Sequence, residues 1–148
     1  MSSTLVVGSM AFDDIETPFG KSNKIIGGAA TYIAYTASYF NPNIQLVSVV
    51  GGDFPQSVID DLEGRGVNTE GLQIKKDEKS FFWSGKYHMD MNSRDTLVTE
   101  LNVLMEFNPV LPHEYRNADF VMLGNIDPML QLNVIKQMET KPKLIIMD

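Results

Sequence analysis

The sequence predicts an α/β protein with three layers, in which helices cover both faces of a parallel β-sheet and a small second sheet is attached. Two patterns predict this class. Short apolar runs alternate with longer helical patterns along most of the 148 residues, as in strands joined by crossover helices. Residues 81–104 instead alternate apolar and polar side chains with a period of two, which indicates strands outside the parallel sheet.

The amino-terminal part contains two predicted strand–helix pairs separated by a polar segment. Thr4–Val7 is a short apolar run followed by glycine, which is typical of a buried strand. The polar residues 13–24 contain proline and glycine and predict a turn or a small hairpin. The remaining predictions are a helix over 29–40 without a polar face, a strand over 45–50, and a helix that starts at Asp53 and Pro55 and buries Val58, Ile59 and Leu62.

The period-two segment predicts an antiparallel hairpin. Phe81, Trp83 and Tyr87 fall on its apolar face, and a turn over 91–94 precedes a second alternating strand over 97–103. Because the apolar face of such a hairpin must be covered, we expect it to be a lid or a contact between subunits.

The strand–helix pattern returns after the hairpin. Residues 119–123 predict a strand, and Asp127 followed by proline is typical of a helix start. Residues 143–148 predict a final strand. Ligand sites of open α/β sheets are built from the loops that follow the strands, and this sequence stops on a strand. We therefore expect the sequence to be cut within a domain.

The composition argues against several functions. Twelve Lys and Arg against nineteen Asp and Glu give a net charge of −7, which argues against nucleic acid or an anionic membrane as a partner. The absence of cysteine excludes disulfides and thiolate chemistry. His88 and His113 are isolated, so no metal site is predicted. The sequence lacks a dinucleotide fingerprint, a phosphate loop and an export signal, and we expect a cytoplasmic protein.

An ordered set of short motifs is more specific than any one of them. In order, the set comprises a strand ending in Val7-Gly8, then Asp13, the pair Gly27-Gly28 before a helix, a Val-Gly-x-Asp turn over 50–53, and a Gly-Val-x-Thr turn over 66–69. This set resembles the ribokinase-like (PfkB) family of carbohydrate kinases over roughly the whole chain.

The resemblance implies the amino-terminal half of a Rossmann-like, ribokinase-type fold, as one domain over 1–148 with lid strands at about 13–26 and 80–104. It also implies that the turn over 66–69 leads into the lid strands. The implied reaction transfers a phosphoryl group from ATP, with Mg²⁺, to a hydroxyl of a sugar or sugar-like molecule that this half recognises. The implied acceptor-binding residues are Asp13, Gly27, Gly28, Tyr32, Trp83 and Asp127.

Five of these six residues also have a purely structural interpretation. Gly27 and Gly28 let a ligand approach free amides at a helix N-terminus, or they only allow tight packing. Asp13 binds hydroxyl groups or closes a turn. Asp127 borders the cleft or caps a helix, and Trp83 covers the ligand or packs against the body.

Two departures from the family pattern bear on the acceptor. Tyr32 and Ala11 stand where many sugar-binding members carry asparagine. Because tyrosine lacks the paired donor and acceptor of an amide, ribose itself is not favoured. A nucleoside is the alternative acceptor, and a ligand-binding module without catalysis is the alternative from another class.

The catalytic aspartate of the family lies in a Gly-Ala-Gly-Asp turn that this sequence lacks. We expect the base and most ATP contacts beyond Asp148, so this segment alone should be inactive. The resemblance also implies a homodimer formed through the lid.

Overall fold

The fold consists of nine strands, three α-helices and two 3-10 turns within residues 2–148, the part of the chain that the computed structural model describes. None of the helices in that range is long and apolar enough to cross a membrane. The strands are β1 (Thr4–Val7), β2 (Ala11–Thr17), β3 (Gly20–Gly27), β4 (Ile44–Gly51), β5 (Val67–Lys75), β6 (Phe81–Tyr87), β7 (Arg94–Glu100), β8 (Phe120–Leu123) and β9 (Leu144–Met147). The helices are α1 (Ala29–Ser38), α2 (Gln56–Gly64) and α3 (Pro128–Gln137), and the 3-10 turns are Asn102–Leu104 and His113–Asn117.

Five strands form a parallel sheet in the order β5-β4-β1-β8-β9. Side chains of β1 alternate between its faces. Val6 packs in the cluster that contains Ala30 of α1, whereas Leu5 and Val7 pack in the cluster that contains Val134 of α3. Because both faces are covered, the central strands β1, β4 and β8 are predominantly apolar. The predicted three-layer α/β class is confirmed.

Small residues let α1 lie close to the parallel sheet. Ala30 and Ala34 are fully buried. A Cβ atom on Gly8, just after β1, would lie 3.2 Å from the backbone nitrogen of Ala30. The close packing that the alanines predict is therefore present, although α1 ends at Ser38, two residues before the predicted end.

Four strands form a second sheet in the order β3-β2-β6-β7. Two antiparallel hairpins, β2–β3 and β6–β7, are joined by parallel pairing of β2 with β6. The hairpin predicted from the period-two alternation is confirmed, and the polar segment after β1 forms the other hairpin. β7 is exposed along its whole length, which leaves it accessible to another copy of the chain. The homodimer through this sheet stays a prediction.

Most of the predicted turn from Gly66 to Thr69 lies within strand β5, which precedes β6 along the chain. Strand β5 pairs with β4 in parallel, at one edge of the main sheet. Polar Asn68 and Glu70 interrupt its apolar side chains, so it lacks the pattern of a buried strand. Tyr115 stabilises β5 at this edge, because its hydroxyl donates to the side-chain oxygen of Asn68 at 2.7 Å. Burial raises the pKa of Tyr115 to about 12.

Strand β7 ends at Glu100, before the predicted end at Val103. Asn102 has a φ of 47°, which breaks the extended backbone, and its side-chain amide donates to the carbonyl of Ser80 at 2.9 Å. Val103 lies in the following 3-10 turn and is fully buried in the main core. This residue fits the period-two pattern without belonging to the strand.

Asp53 does not start α2, contrary to the sequence expectation. Pro55 precedes the helix, which begins at Gln56. Asp53 instead accepts hydrogen bonds from the backbone N–H (2.8 Å) and the hydroxyl (2.7 Å) of Ser80. The pair therefore ties the end of β4 to the start of β6.

Strand β9 forms the other edge of the parallel sheet and is largely exposed. The exposed fraction of its residues ranges from 42% at Ile145 to 68% at Met147. Next to it, Ile33, Met122 and Ile146 contribute to an apolar groove between α1 and β9. The predicted final strand is thus present, with an uncovered apolar surface.

Candidate functional site

An open cleft of about 390 Å³ lies where the second sheet meets the start of α1. It is close to the carboxyl ends of β1 and β8, the position at which open α/β sheets bind ligands. Four of the six predicted acceptor-binding residues line it. The complete lining is Asp13, Gly28, Ala29, Tyr32, Phe81, Trp83, Tyr87, Arg94 and Asn125.

The carboxylate of Asp13 occupies a space that is free only because residue 27 is glycine. Asp13 lies on β2, which pairs with β3 and so brings Gly27 close to it. A Cβ atom on Gly27 would lie 2.9 Å from Oδ1 of Asp13 and closer still to Oδ2. Gly27, the fifth predicted residue, therefore makes room for the Asp13 carboxylate and does not itself line the cleft.

The Asp13 carboxylate is half-buried and has no hydrogen-bond donor of its own within the described residues 2–148. Burial raises the pKa of this carboxyl above its ordinary value of 3.8. No other acidic residue lines the cleft. A desolvated carboxylate without a partner is therefore the principal hydrogen-bond acceptor available to a ligand here.

The start of α1 differs from the expectation of free backbone amides. The N–H of Ala30 donates to the backbone carbonyl of Ser9 at 2.9 Å, and the N–H of Ala29 donates to the side-chain hydroxyl of Ser9 at 3.3 Å. Gly28 precedes the helix with a φ of 93°, and a Cβ atom there would lie 2.7 Å from the Cα of Met10. Gly28 therefore lets the helix start pack against the Ser9–Met10 backbone, and the first two amides of α1 are already occupied.

Aromatic side chains form the wall opposite the helix. The parallel pairing of β2 with β6 sets Trp83 directly beside Asp13, and Phe81 beside Ala11. Partners in register point to the same face of a sheet, so the indole and the carboxylate share one side of the cleft. Tyr32 stands on α1, and its hydroxyl donates to the carbonyl of Ile26 at 3.0 Å.

Asp127 lies outside this cleft. Its side chain accepts a hydrogen bond from the N–H of Met129 at 2.7 Å and so caps α3. It borders a separate depression of about 290 Å³, which is lined by Leu101, Leu104, Met105, Phe107, Ile126 and Leu130. The cap interpretation of Asp127 has direct geometric support.

Replacement of Asp127 by alanine is expected to lower the free energy of unfolding by about 1 kcal/mol, because the helix loses its cap. Urea unfolding followed by circular dichroism measures this loss. If Asp127 acts only as a cap, ligand affinity at the cleft stays at the wild-type value. A parallel loss of affinity would assign it a ligand-binding role as well.

Three residues of the cleft were not predicted, namely Ala29, Arg94 and Asn125. Ala29 directly follows the predicted Gly28 and is the first residue of α1. Asn125 follows β8 by two positions, and the rule that ligands bind at the carboxyl ends of parallel strands is a signal that points to it. Arg94 pairs in register with Tyr87 across the second hairpin. No local pattern indicates Arg94, because its position depends on that register.

The cleft does not form a dedicated metal site. Across the described part of the chain, no three His, Asp or Glu side chains stand close enough together to hold an ion. Asp13 alone offers a carboxylate to the cleft. The residues present therefore do not supply the ligand set of a resident Mg²⁺.

Comparisons with known proteins identify the class of this fold. No family model matches the chain. A cytidine kinase of Thermococcus kodakarensis is 28% identical over 142 residues, which cover 95% of this chain and 50% of that protein. The crystal structure of a ribokinase from Cryptococcus neoformans var. grubii in complex with ADP matches with a TM-score of 0.75 and 20% identity, over 99% of this chain and 49% of that one.

An archaeal relative extends the comparison to nucleoside kinases. The structure of a Methanocaldococcus jannaschii nucleoside kinase, a member of the ribokinase family, matches with a TM-score of 0.74 and 22% identity. That match covers 100% of this chain and 52% of the kinase. The chain thus has the ribokinase-type fold, and the resemblance to the ribokinase-like family is confirmed. The present chain spans about half the length of the proteins that it matches.

Proposed function

We propose that this chain is the acceptor-recognising part of an ATP-dependent kinase that phosphorylates a hydroxyl of a sugar or sugar-like compound. The observation that carries the proposal is the unpartnered, half-buried Asp13 carboxylate beside Trp83 in the cleft. The ribokinase-type fold and its kinase relatives support the same reaction class.

The chemistry of the cleft suits a polyhydroxylated ligand. An ionised carboxylate accepts hydrogen bonds from two neighbouring hydroxyl groups at once, and bonds to a charged acceptor are stronger than neutral ones. The rings of Phe81, Trp83 and Tyr87 offer apolar faces to the carbon skeleton. In the proposal the second sheet acts as a lid over the acceptor and excludes water, which would otherwise compete for the phosphoryl group.

Phosphoryl transfer needs further groups besides the Asp13 carboxylate, which the proposal assigns to acceptor binding, and the Arg94 guanidinium at the edge of the cleft. A base must accept the hydroxyl proton, and donors or cations must stabilise the transferred charge. The proposal assigns the base, ATP and Mg²⁺ to residues beyond Asp148. The 148-residue chain alone is therefore expected to bind the acceptor without phosphorylating it.

A nucleoside is the second candidate acceptor, because the cleft is rich in aromatic side chains. Phe81, Trp83, Tyr87 and Tyr32 surround a single carboxylate. A planar base stacks on such rings, whereas a free sugar uses them less fully. The cytidine kinase and nucleoside kinase relatives support this candidate.

Calorimetric titration of the chain with ribose, fructose, cytidine and guanosine tests the proposal. We expect at least one of them to bind, and Asp13→Ala to abolish that binding. Tighter binding of the nucleosides than of the sugars would favour the second candidate. Absence of measurable binding of all four compounds would contradict the proposed function. Acceptor binding by the complete protein without turnover in ATP would instead favour a ligand-binding module.

A further inference from the structure

Gly85 lies beneath the indole ring of Trp83, two residues further along β6 on the same face of the sheet. A Cβ atom on Gly85 would lie 2.5 Å from Cζ2 and 2.8 Å from Cζ3 of Trp83, and closer still to Cη2. Carbon atoms in van der Waals contact stay about 3.5 Å or more apart. Any side chain at position 85 would therefore force the indole to move.

Two groups on β7 hold the same ring from the side. The indole N–H donates to the hydroxyl of Thr96 at 3.3 Å, and Thr96 is the register partner of Gly85. The guanidinium carbon of Arg94 lies 5.7 Å from the ring centre, within the range of a cation–π interaction. Trp83 is thus held by both strands of the hairpin, with its ring folded back across Gly85.

The same arrangement places the carboxylate of the cleft. Asp13 occupies the space left by Gly27, and Trp83 occupies the space left by Gly85. Because Asp13 and Trp83 are register partners, the two glycines together fix two neighbouring side chains on one side of the cleft.

We propose that Gly85 is a positioning residue: by leaving room for the indole, it fixes Trp83 as a preformed wall of the acceptor cleft. The inference rests on the proposed function, since it assigns Trp83 to the acceptor side of the cleft. Gly85 itself touches no acceptor and acts only through the indole. A preformed wall favours binding, because less side-chain freedom is lost when the ligand arrives.

Gly85→Ala tests the geometry through fluorescence, since Trp83 is the only tryptophan of the chain. We expect the emission spectrum of the folded variant to change, because the indole leaves its place over β6. Gly20→Ala is the matched control. Gly20 lies on β3 of the same sheet, and a Cβ atom there meets nothing within 4 Å. An unchanged spectrum in the folded Gly85→Ala variant would overturn the proposal.

A double-mutant cycle tests the functional part. Gly85→Ala is expected to raise the Kd of the bound acceptor about tenfold. In a Trp83→Ala background, the same substitution should change the Kd no further, because the ring through which Gly85 acts is gone. Equal effects of Gly85→Ala in both backgrounds would overturn the proposal.

The remaining outcomes separate this inference from the proposed function. If Gly85→Ala fails to fold, the Gly85→Ala/Trp83→Ala double variant decides the question. Folding of the double variant would support a clash between the new methyl group and the indole, and failure of both variants to fold would overturn the proposal. If the wild-type chain binds none of the four compounds, the proposed function is contradicted. The positioning of Trp83 is then still decided by the fluorescence comparison.

Discussion

Replacing Asp13 by asparagine is expected to weaken acceptor binding by about 10- to 100-fold and, at neutral pH, to stabilise the fold. Hydrogen bonds to a charged group contribute about 1.5–3 kcal/mol, and the amide offers one uncharged oxygen in place of two charged ones. The free energy of unfolding rises because the substitution removes a partly desolvated charge that has no hydrogen-bond partner. Calorimetric titration and urea unfolding at pH 7 measure the two effects.

The stabilisation by Asp13→Asn has a defined dependence on pH. Burial raises the pKa of Asp13 above 3.8, so the folded state holds this proton more tightly than the unfolded state does. In the wild type, the protonated carboxyl therefore contributes stability at acidic pH, and that contribution is lost as the pH rises through the raised pKa. The advantage of the variant should be present at pH 7 and should shrink on acidification. Wild-type acceptor binding should fall over the same range.

Asp77→Asn is the matched control, because it removes one negative charge from an exposed residue outside the cleft. It should leave acceptor binding at the wild-type value. Equal behaviour of the two variants would count against the role assigned to Asp13, since the effects would then follow net charge alone.

Replacing Gly28 by alanine is expected to lower the free energy of unfolding by about 2–4 kcal/mol. Its φ of 93° is a conformation that other residues adopt only at a cost of about 1–3 kcal/mol. The new methyl group would also meet the backbone of Ser9 and Met10. Because these are backbone atoms of the segment between β1 and β2, no side-chain rotation relieves the contact. Urea unfolding followed by circular dichroism measures the loss.

Gly64→Ala serves as the control for Gly28→Ala. Gly64 is the last residue of α2, and a Cβ atom there meets nothing within 4 Å. Alanine has the higher helix propensity, so this variant should be as stable as the wild type or up to about 1 kcal/mol more stable. Similar losses for both glycines would show that the backbone conformation at Gly28 is not the cause.

The central elements of the fold were predictable because burial leaves a direct trace in the sequence. Every residue of β4 is buried, and its mostly aliphatic sequence, interrupted only by Gln45 and Ser48 before the terminal glycine, predicts a covered strand. The alanines of α1 likewise predict a helix that packs closely on the sheet. The sequence of the edge strand β5 lacks an apolar run, since this strand is only partly covered and carries polar residues on its open side.

The candidate site was predictable only in part. Its acidic residue and glycines followed from an ordered set of motifs that resembles a family, and not from spacing alone. The placement of Asp13 beside Trp83 depends on parallel pairing between residues 70 positions apart in the chain, which no local pattern reveals. Arg94 was missed because the sequence placed it in the turn over 91–94, whereas it is the first residue of β7 and pairs with Tyr87. The sequence also does not show that the carbonyl and hydroxyl of Ser9 accept hydrogen bonds from the first two amides of α1, so it could not decide between the two interpretations of Gly27 and Gly28.

The uncovered edge of β9 makes protein concentration an experimental variable. An open strand with exposed aliphatic side chains presents unpaired backbone groups that other copies of the chain can use, as in edge-to-edge aggregation. Heat released by such self-association would overlap with the heat of ligand binding in a calorimeter. Titrations should therefore be repeated over a dilution series, and only the component that is independent of dilution should be assigned to the cleft.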